Sequence, residues 1–368
     1  MATRCSAAPR FALPANPTRR TTDACPSNSL DRVSVFATAT GVGSWPGSSA
    51  REAAEVVVGE LHHLPHLVEL PGRGIGADLI GRAGALLVDI GMDTVPRGYR
   101  IASGRSSVTR RAASLLDEDI DALEEAWETA GLRGSERTVK VQAPGPVTLA
   151  AHLELPGGHR AITDPGAVRD LASSLAEGVA ALRAQLMRRL ETPVVVQFDE
   201  PSLPAALAGR LTGVTSLSPV HPVDEAVVTQ LLDECVAVAG GDVAVHSCAP
   251  GLPWKLLQRS LIAAVSVDVH TLTAADLDGV GEFIESGRTV LLGAVPSSAS
   301  GARPSAAEIA TTVAGVTDRL GFRRAVLRDN IGITPACGLA TATPAWARAA
   351  VELAQCAADA FAAGSDVI

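Results

Sequence analysis

The chain has 368 residues, of which 47% are hydrophobic, 19% charged and only 3% aromatic, and its net charge is −9. That describes a well-buried globular protein whose core is filled by Val, Leu, Ala and Ile. An acidic body without a basic stripe excludes nucleic acid as the expected partner. No apolar run reaches the roughly 18 residues of a membrane span, so a membrane is not expected either.

Residues 1–35 carry five Arg against two Asp, a local excess of positive charge. They lack apolar periodicity and the apolar stretch of a secretory signal. They read as a disordered extension, with an over-long start assignment or a transit peptide as the alternatives. The six cysteines (Cys5, Cys25, Cys235, Cys248, Cys337 and Cys356) are too sparse for a disulfide scaffold and point to a reducing cytoplasm.

From residue 36 onward, short β-branched runs alternate with longer helical patterns. The expected strands are 36–42, 66–70, 138–143, 193–198, 242–247, 264–269, 289–294 and 327–334. Between the second and third lies a long insertion over 94–135 with an acidic run, Asp117–Glu128. In 165–190, Val168, Leu171, Leu175, Val179, Leu182, Leu186 and Leu190 recur at helical steps, with Asp164 as cap and Pro165 at the first position. Asp224 opens a helix over 225–238 that stops at Gly240-Gly241. Ser305 and Glu308 form a capping box before 306–320. Alternation with continuous apolar strands means a parallel sheet covered by helices. Eight such units favour a (β/α)8 TIM barrel over 36–368, since one α/β barrel takes about 250 residues or more.

Unusual polar residues gather where the strands end, the face on which barrel active sites lie. These are Asp199-Glu200-Pro201, His246-Ser247-Cys248, Asp268-Val269-His270 and Cys337 in PACGL (335–339). His246 and Cys248 are two apart, so in an extended chain both point to one side. Zinc takes about four N, S or O ligands and favours thiolates. His246, Cys248 and Cys337 supply three, and Asp268 or His270 a fourth. The plainer readings stand beside these: a cysteine is often a small buried hydrophobe, and Cys235 and Cys356 on helical faces read as that. Asp199-Glu200-Pro201 can also simply end a strand and cap the next turn, and GVGSWP (41–46) can be a tight loop.

Together the motifs resemble the C-terminal catalytic barrel of cobalamin-independent methionine synthase, within the uroporphyrinogen decarboxylase-like superfamily. GVGSWP resembles the family's IGSFP, and GPVT (145–148) is the same four residues. QFDEP (197–201) resembles QIDEP, HSC (246–248) resembles the H-x-C zinc pair, and PACGL resembles PDCGL. The chain is similar to the short, single-barrel forms. The resemblance implies Zn²⁺ on His246, Cys248 and Cys337, with Asp268 in the place of the family's fourth ligand, a Glu. It implies an amino-acid site in which Val42, Gly43 and Ser44 hold the carboxylate and Asp199 the ammonium group, with Glu69 as a further substrate carboxylate. The small-molecule substrates it implies are homocysteine, as the thiol, and a methyl donor, either methyl-folate or a methylcorrinoid.

Two positions depart from the family. Four residues after GPVT, where the family has a Trp against which folate stacks, this chain has His152. The family's general-acid His follows the seventh strand, where this chain reads Val295-Pro296-Ser297-Ser298-Ala299. His152 is left to supply a proton there. The expected function is zinc-dependent methyl transfer to homocysteine, giving methionine. The alternatives are a corrinoid-dependent thiol methyltransferase, a zinc-binding barrel without methyl-donor activity, and a metal-free decarboxylase of the wider superfamily.

Overall fold

The structure is a computed structural model that describes residues 33–215, 219–299 and 301–364. Residues 1–32 of the expected extension lie outside the described residues. The strands are β1 (Gly91–Val95), β2 (Gly98–Ala102), β3 (Val139–Pro144), β4 (Leu153–Glu154), β5 (Val194–Asp199), β6 (Val243–Ser247), β7 (Ala264–Asp268), β8 (Thr289–Val295) and β9 (Ile331–Pro335). The helices are α1 (Ala50–Glu60), α2 (Leu79–Leu86), α3 (Ser107–Thr129), α4 (Pro146–His152), α5 (Pro165–Leu190) and α6 (Leu203–Leu207). They continue with α7 (Glu225–Ala239), α8 (Trp254–Arg259), α9 (Ala274–Glu285), α10 (Ala306–Arg319), α11 (Ala325–Asp329) and α12 (Pro344–Ala362).

Six of the Val- and Ile-rich runs pair side by side as a parallel sheet in the order β3-β5-β6-β7-β8-β9. Helices intervene between successive strands, as parallel pairing requires. The sheet is curled, in the manner of a TIM-like barrel. Two further segments touch it only through isolated parallel bridges. Ala39 bridges Ile333 of β9, His66 bridges Lys140 of β3, and Ser44 bridges Glu69. The segments expected as strands at 36–42 and 66–70 are therefore bridges rather than ladders. Small residues account for the first: Gly41 lies against the His66 ring with no room for a Cβ, and Gly43 has φ 154°, which side-chain-bearing residues rarely adopt.

The strand expected over 327–334 is shorter than its reading. Residues 325–329 form α11 around the buried Leu327, and pairing begins only at Ile331. The expected insertion holds an antiparallel hairpin, β1–β2, and the long α3. The helix boundaries match their caps closely. Asp164 accepts from the N–H groups of Gly166 and Ala167 at the head of α5. Asp224 does the same for Ala226, and α7 ends on Gly240 with φ 68°. Ser305 and Glu308 form both halves of a capping box on α10.

Two apolar clusters hold this arrangement. The larger fills the space between sheet and helices. The smaller is Phe36, Leu64, Val195, Ala244, Ala264 and Leu291. Its strand members stand near the starts of β5, β6, β7 and β8, on the side facing away from the helices, and form an apolar floor. Among the described residues no helix is long and apolar enough to cross a membrane.

The closeness of α5 to α2 gives a test of this packing. A Cβ on Gly178 of α5 would overlap the Leu86 carbonyl, whereas one on Gly315 of α10 meets nothing. Gly-to-Ala in a helix normally gains up to about 1 kcal/mol, but forced overlap costs roughly 1–3 kcal/mol. Gly178→Ala should therefore destabilise and Gly315→Ala stabilise, measured by chemical denaturation. A gain in both variants would mean that α2 and α5 are not this close.

Candidate active site

The register of the parallel strands assembles the site. Asp199 on β5 is paired with His246 on β6, and His246 with Ser266 on β7. Alternation puts Val195, Gln197 and Asp199 on one side of β5, and Ala244 and His246 on the same side of β6. Above the apolar floor the inward positions are thus polar. Cys248 follows just past the end of β6, and Cys337 just past the end of β9.

The donor atoms of His246, Cys248 and Cys337 all lie within 4.8 Å of one another. The two sulfurs are 3.0 Å apart. His246 is buried, and its Nδ1 is 3.0 Å from the Ser266 hydroxyl. Its Nε2 has no hydrogen-bond partner. A ligating histidine typically uses its second nitrogen in this way, which fixes the tautomer and leaves the other lone pair for the metal. The short contact with Cys248, together with the His246 imidazole, pulls the Cys337 thiol down to about 4, while the same contact and burial push Cys248 up. A soft N/S/S donor set with an orphaned imidazole nitrogen fits zinc.

Asp268 is outside this group. It stands on the inward side of β7, but its carboxylate accepts from the His270 N–H at 2.9 Å and caps the turn Val269–Thr271. His270 itself is exposed. Neither lies in the three-donor cluster.

The GVGSWP and PACGL loops meet beside the sulfurs. Gly338 packs on the Ser44 side chain so closely that a Cβ would overlap its hydroxyl, and the Leu339 N–H donates to the Ser44 carbonyl at 2.9 Å. This sets Ser44 next to Cys337. The carbonyl of Val42 accepts from Lys140 Nζ at 2.9 Å and from Gln197 Nε2 at 2.8 Å. Gly43 lies on the Gln142 side chain, again with no room for a Cβ. Its carbonyl accepts from the Glu69 N–H at 3.1 Å, which ties the GVGSWP loop to Glu69.

Asp199 and Glu69 are both buried acids. Burial raises Asp199 to about 6 against the pull of His246 and Lys140, and raises Glu69 to about 7 against the pull of Arg82. Arg82 Nε is 3.8 Å from Glu69 and the same guanidinium holds the buried Asp119 of α3, which also binds Arg73 at 2.6 Å. Raised buried acids of this kind make the cluster a candidate functional site.

Glu200 does different work from its neighbour. Its carboxylate accepts from the N–H groups of Val147 and Thr148, each at 2.8 Å, and from the Thr148 hydroxyl at 2.6 Å. It therefore caps α4, whose Ncap residue, Gly145, has no side chain to do so and no room for one beside Glu200. GPVT and DEP are two halves of one structural unit. The Ser202 that follows holds His152 Nε2 at 3.1 Å. His152 is exposed at the end of α4, and partial desolvation of its ring, followed by the charge of Arg160, lowers its pKa.

Sequence reasoning missed Lys140, Gln142, Gln197 and His66. All four are buried on the inward side or against it. The available signal was a Lys and a Gln inside an otherwise apolar run, Val139–Pro144, of a parallel sheet.

Residues 36–360 match the family described as the catalytic domain of cobalamin-independent synthase. The chain belongs to that family. Its fold is similar to that of a B12-independent methionine synthase from Shewanella sp. W3-18-1, solved in complex with selenomethionine, with a TM-score of 0.56, 15% identity, and coverage of 89% of this chain and 97% of that one. It is similar to a putative vitamin-B12-independent methionine synthase from Listeria monocytogenes, with a TM-score of 0.52, 16% identity and coverage of 83% and 85%. A methyltransferase from Methanosarcina mazei gives a TM-score of 0.53 at 13% identity, with coverage of 90% and 94%. No curated protein matches the chain significantly.

Glu200 yields a pH test. Burial raises it from 4.5 to about 7 despite its three donors. A raised folded pKa stabilises most below the unfolded value, and that contribution is lost as pH rises through the folded one. Relative to Glu200→Gln, the wild type should therefore lose about 2–3 kcal/mol of stability between pH 5 and pH 8. Urea unfolding of both proteins across that range measures it. A difference independent of pH would mean that Glu200 is ionised throughout.

Proposed function

We propose that this chain is a zinc-dependent methyltransferase acting on the thiol of homocysteine to give methionine. The observation that carries the reading is the convergence of His246, Cys248 and Cys337, with an orphaned imidazole nitrogen, beside the buried acid Asp199. The six-stranded sheet with its two bridging segments is read as the eight staves of a (β/α)8 barrel over 36–368. His246, Cys248 and Cys337 would hold a zinc ion, which would supply the Lewis acidity that makes a substrate thiol a nucleophile at neutral pH.

The chain's own groups then bind and orient the amino acid. Asp199 is set to accept from the substrate ammonium group, which favours its ionised form and offsets the burial that raises its pKa. Glu69 provides a second carboxylate on that side. Ser44, held beside Cys337 by its packing on Gly338, and the backbone of Val42-Gly43 are assigned to the substrate carboxylate, with the Val42 carbonyl fixed from behind by Lys140 and Gln197. That the Shewanella protein was solved with selenomethionine supports an amino acid with a soft chalcogen as ligand. Both thiols must be reduced, which suits a reducing cytoplasm.

For the methyl donor, a specific observation favours a methylated corrinoid over methyl-folate. N5 of methyl-folate must be protonated as it leaves, and a placed acid is worth about 10²–10⁴ in rate. The segment after β8 has no acid, and His152, in the place of the family's Trp, is exposed and held by the Ser202 hydroxyl. Purified zinc-loaded protein with homocysteine should make methionine faster from methylcobalamin than from methyl-folate polyglutamate. Turnover near about 1 s⁻¹ with methyl-folate would reverse that order. No methionine from either donor would leave a zinc-binding barrel without methyl transfer.

A further inference from the structure

Lys140 is 0% exposed. Barrel interiors are packed with branched apolar side chains, and a lysine is almost never fully buried without partners. Burial lowers its pKa to about 8, against the pull of Asp199 and Glu69, so at neutral pH it still carries a charge in the middle of the fold. Its register partner on β5 is Val195, a member of the apolar floor.

The hydrogen bonds around it have a fixed direction. An ammonium group donates only. Lys140 Nζ is 2.8 Å from Gln197 Oε1, so that end of the amide must be the oxygen. The other end must then be the NH₂, and it donates to the Val42 carbonyl at 2.8 Å and to Asp199 Oδ1 at 2.7 Å. Without Lys140 the buried Gln197 oxygen would lose its donor, and the amide would be held only through its NH₂, by the Val42 carbonyl and Asp199. The same ammonium group also donates to the Val42 carbonyl. One buried charge thus ties the Gln197 amide that faces Asp199 to the GVGSWP backbone.

We propose that Lys140 is the positioning residue of the amino-acid end of the site, acting through the Gln197 amide to hold Asp199 as an acceptor for a substrate ammonium group. The assignment rests on the reading of Asp199 as the partner of homocysteine's ammonium group. It makes Lys140 a determinant of selectivity for amino thiols over plain thiol acids. It assigns Lys140 no contact with the reacting sulfur.

The test is the binding of two thiols to zinc-loaded wild type and Lys140→Met by calorimetry, with zinc content as the folding control. One thiol is homocysteine and the other is 4-mercaptobutanoate, which lacks only the amino group. Lys140→Met should weaken homocysteine at least tenfold and 4-mercaptobutanoate less than twofold. Gln197→Leu should give a similar loss, and the double variant no further loss, because the two residues act in series. Equal losses for both thiols, or no loss for either, would overturn the proposal. A readout without ligand is the exchange of the Gln197 side-chain amide protons by ¹⁵N NMR, which should quicken at least tenfold in Lys140→Met. Should the wild type bind neither thiol, the methyltransferase reading fails and the exchange result alone decides the role of Lys140; unchanged exchange would end it. If Lys140→Met does not fold, Lys140→Gln takes its place, since glutamine can fill the site without fixing the polarity of Gln197.

Discussion

Parallel strands held in register, with side chains alternating between two faces, are the constraint on which the site depends. Because β5, β6 and β7 pair Asp199 with His246 and His246 with Ser266, one step along each strand is one level of the interior. Val195, Ala244, Ala264 and Leu291 pack together as one apolar patch of this interior. By register Lys140 stands with Val195, Gln197 with Ala244 and Ala264, and Asp199 with His246, Ser266 and Leu291. A slip of one residue in any strand would move its polar members into the helix-facing core and its valines into the site. The apolar floor therefore does more than stabilise: it fixes the register that aligns the donors.

Charge burial is the second organising term. Asp199, Glu69, Glu200 and Lys140 are all within the interior, and each pays a desolvation cost that hydrogen bonds must offset. Glu200 has its donors in the head of α4, so its cost is met by structure. Asp199 accepts from the Gln197 amide, and Glu69 Oε1 has no hydrogen-bond partner. All three acids stand well above ordinary carboxylate values, so the three donors, and not the pKa, distinguish Glu200 from its neighbour Asp199.

Much of this was legible in the amino-acid order. His246-x-Cys248 reads as a pair on one side of a strand because the period of an extended chain is two, and the three donors do converge. The helix ends at Asp164-Pro165, Asp224 to Gly240 and Ser305 to Glu308 were legible because caps are local. What escaped was non-local or satisfied by a different partner. Asp268 has ligand chemistry and an inward position, yet it turns to a backbone N–H two residues away, which no spacing reveals. Residues 325–329 carry an apolar run that serves a short helix because Leu327 alone needs burial there. Lys140 looked like an interruption in a strand, and its partners Val42 and Gln197 lie far away in sequence. Glu200 does cap a helix, as its plainer reading allowed, but it caps α4, 52 residues upstream of it at Thr148.

The central claim is that His246, Cys248 and Cys337 hold the metal and Asp268 does not. The most direct measurement is zinc per chain by elemental analysis after dialysis against a weak chelator, for wild type, Cys337→Ala and Asp268→Ala. About one zinc per chain in wild type and in Asp268→Ala, with most of it lost from Cys337→Ala, is the result expected of a three-residue site. Full zinc in Cys337→Ala, or its loss from Asp268→Ala alone, would contradict the account.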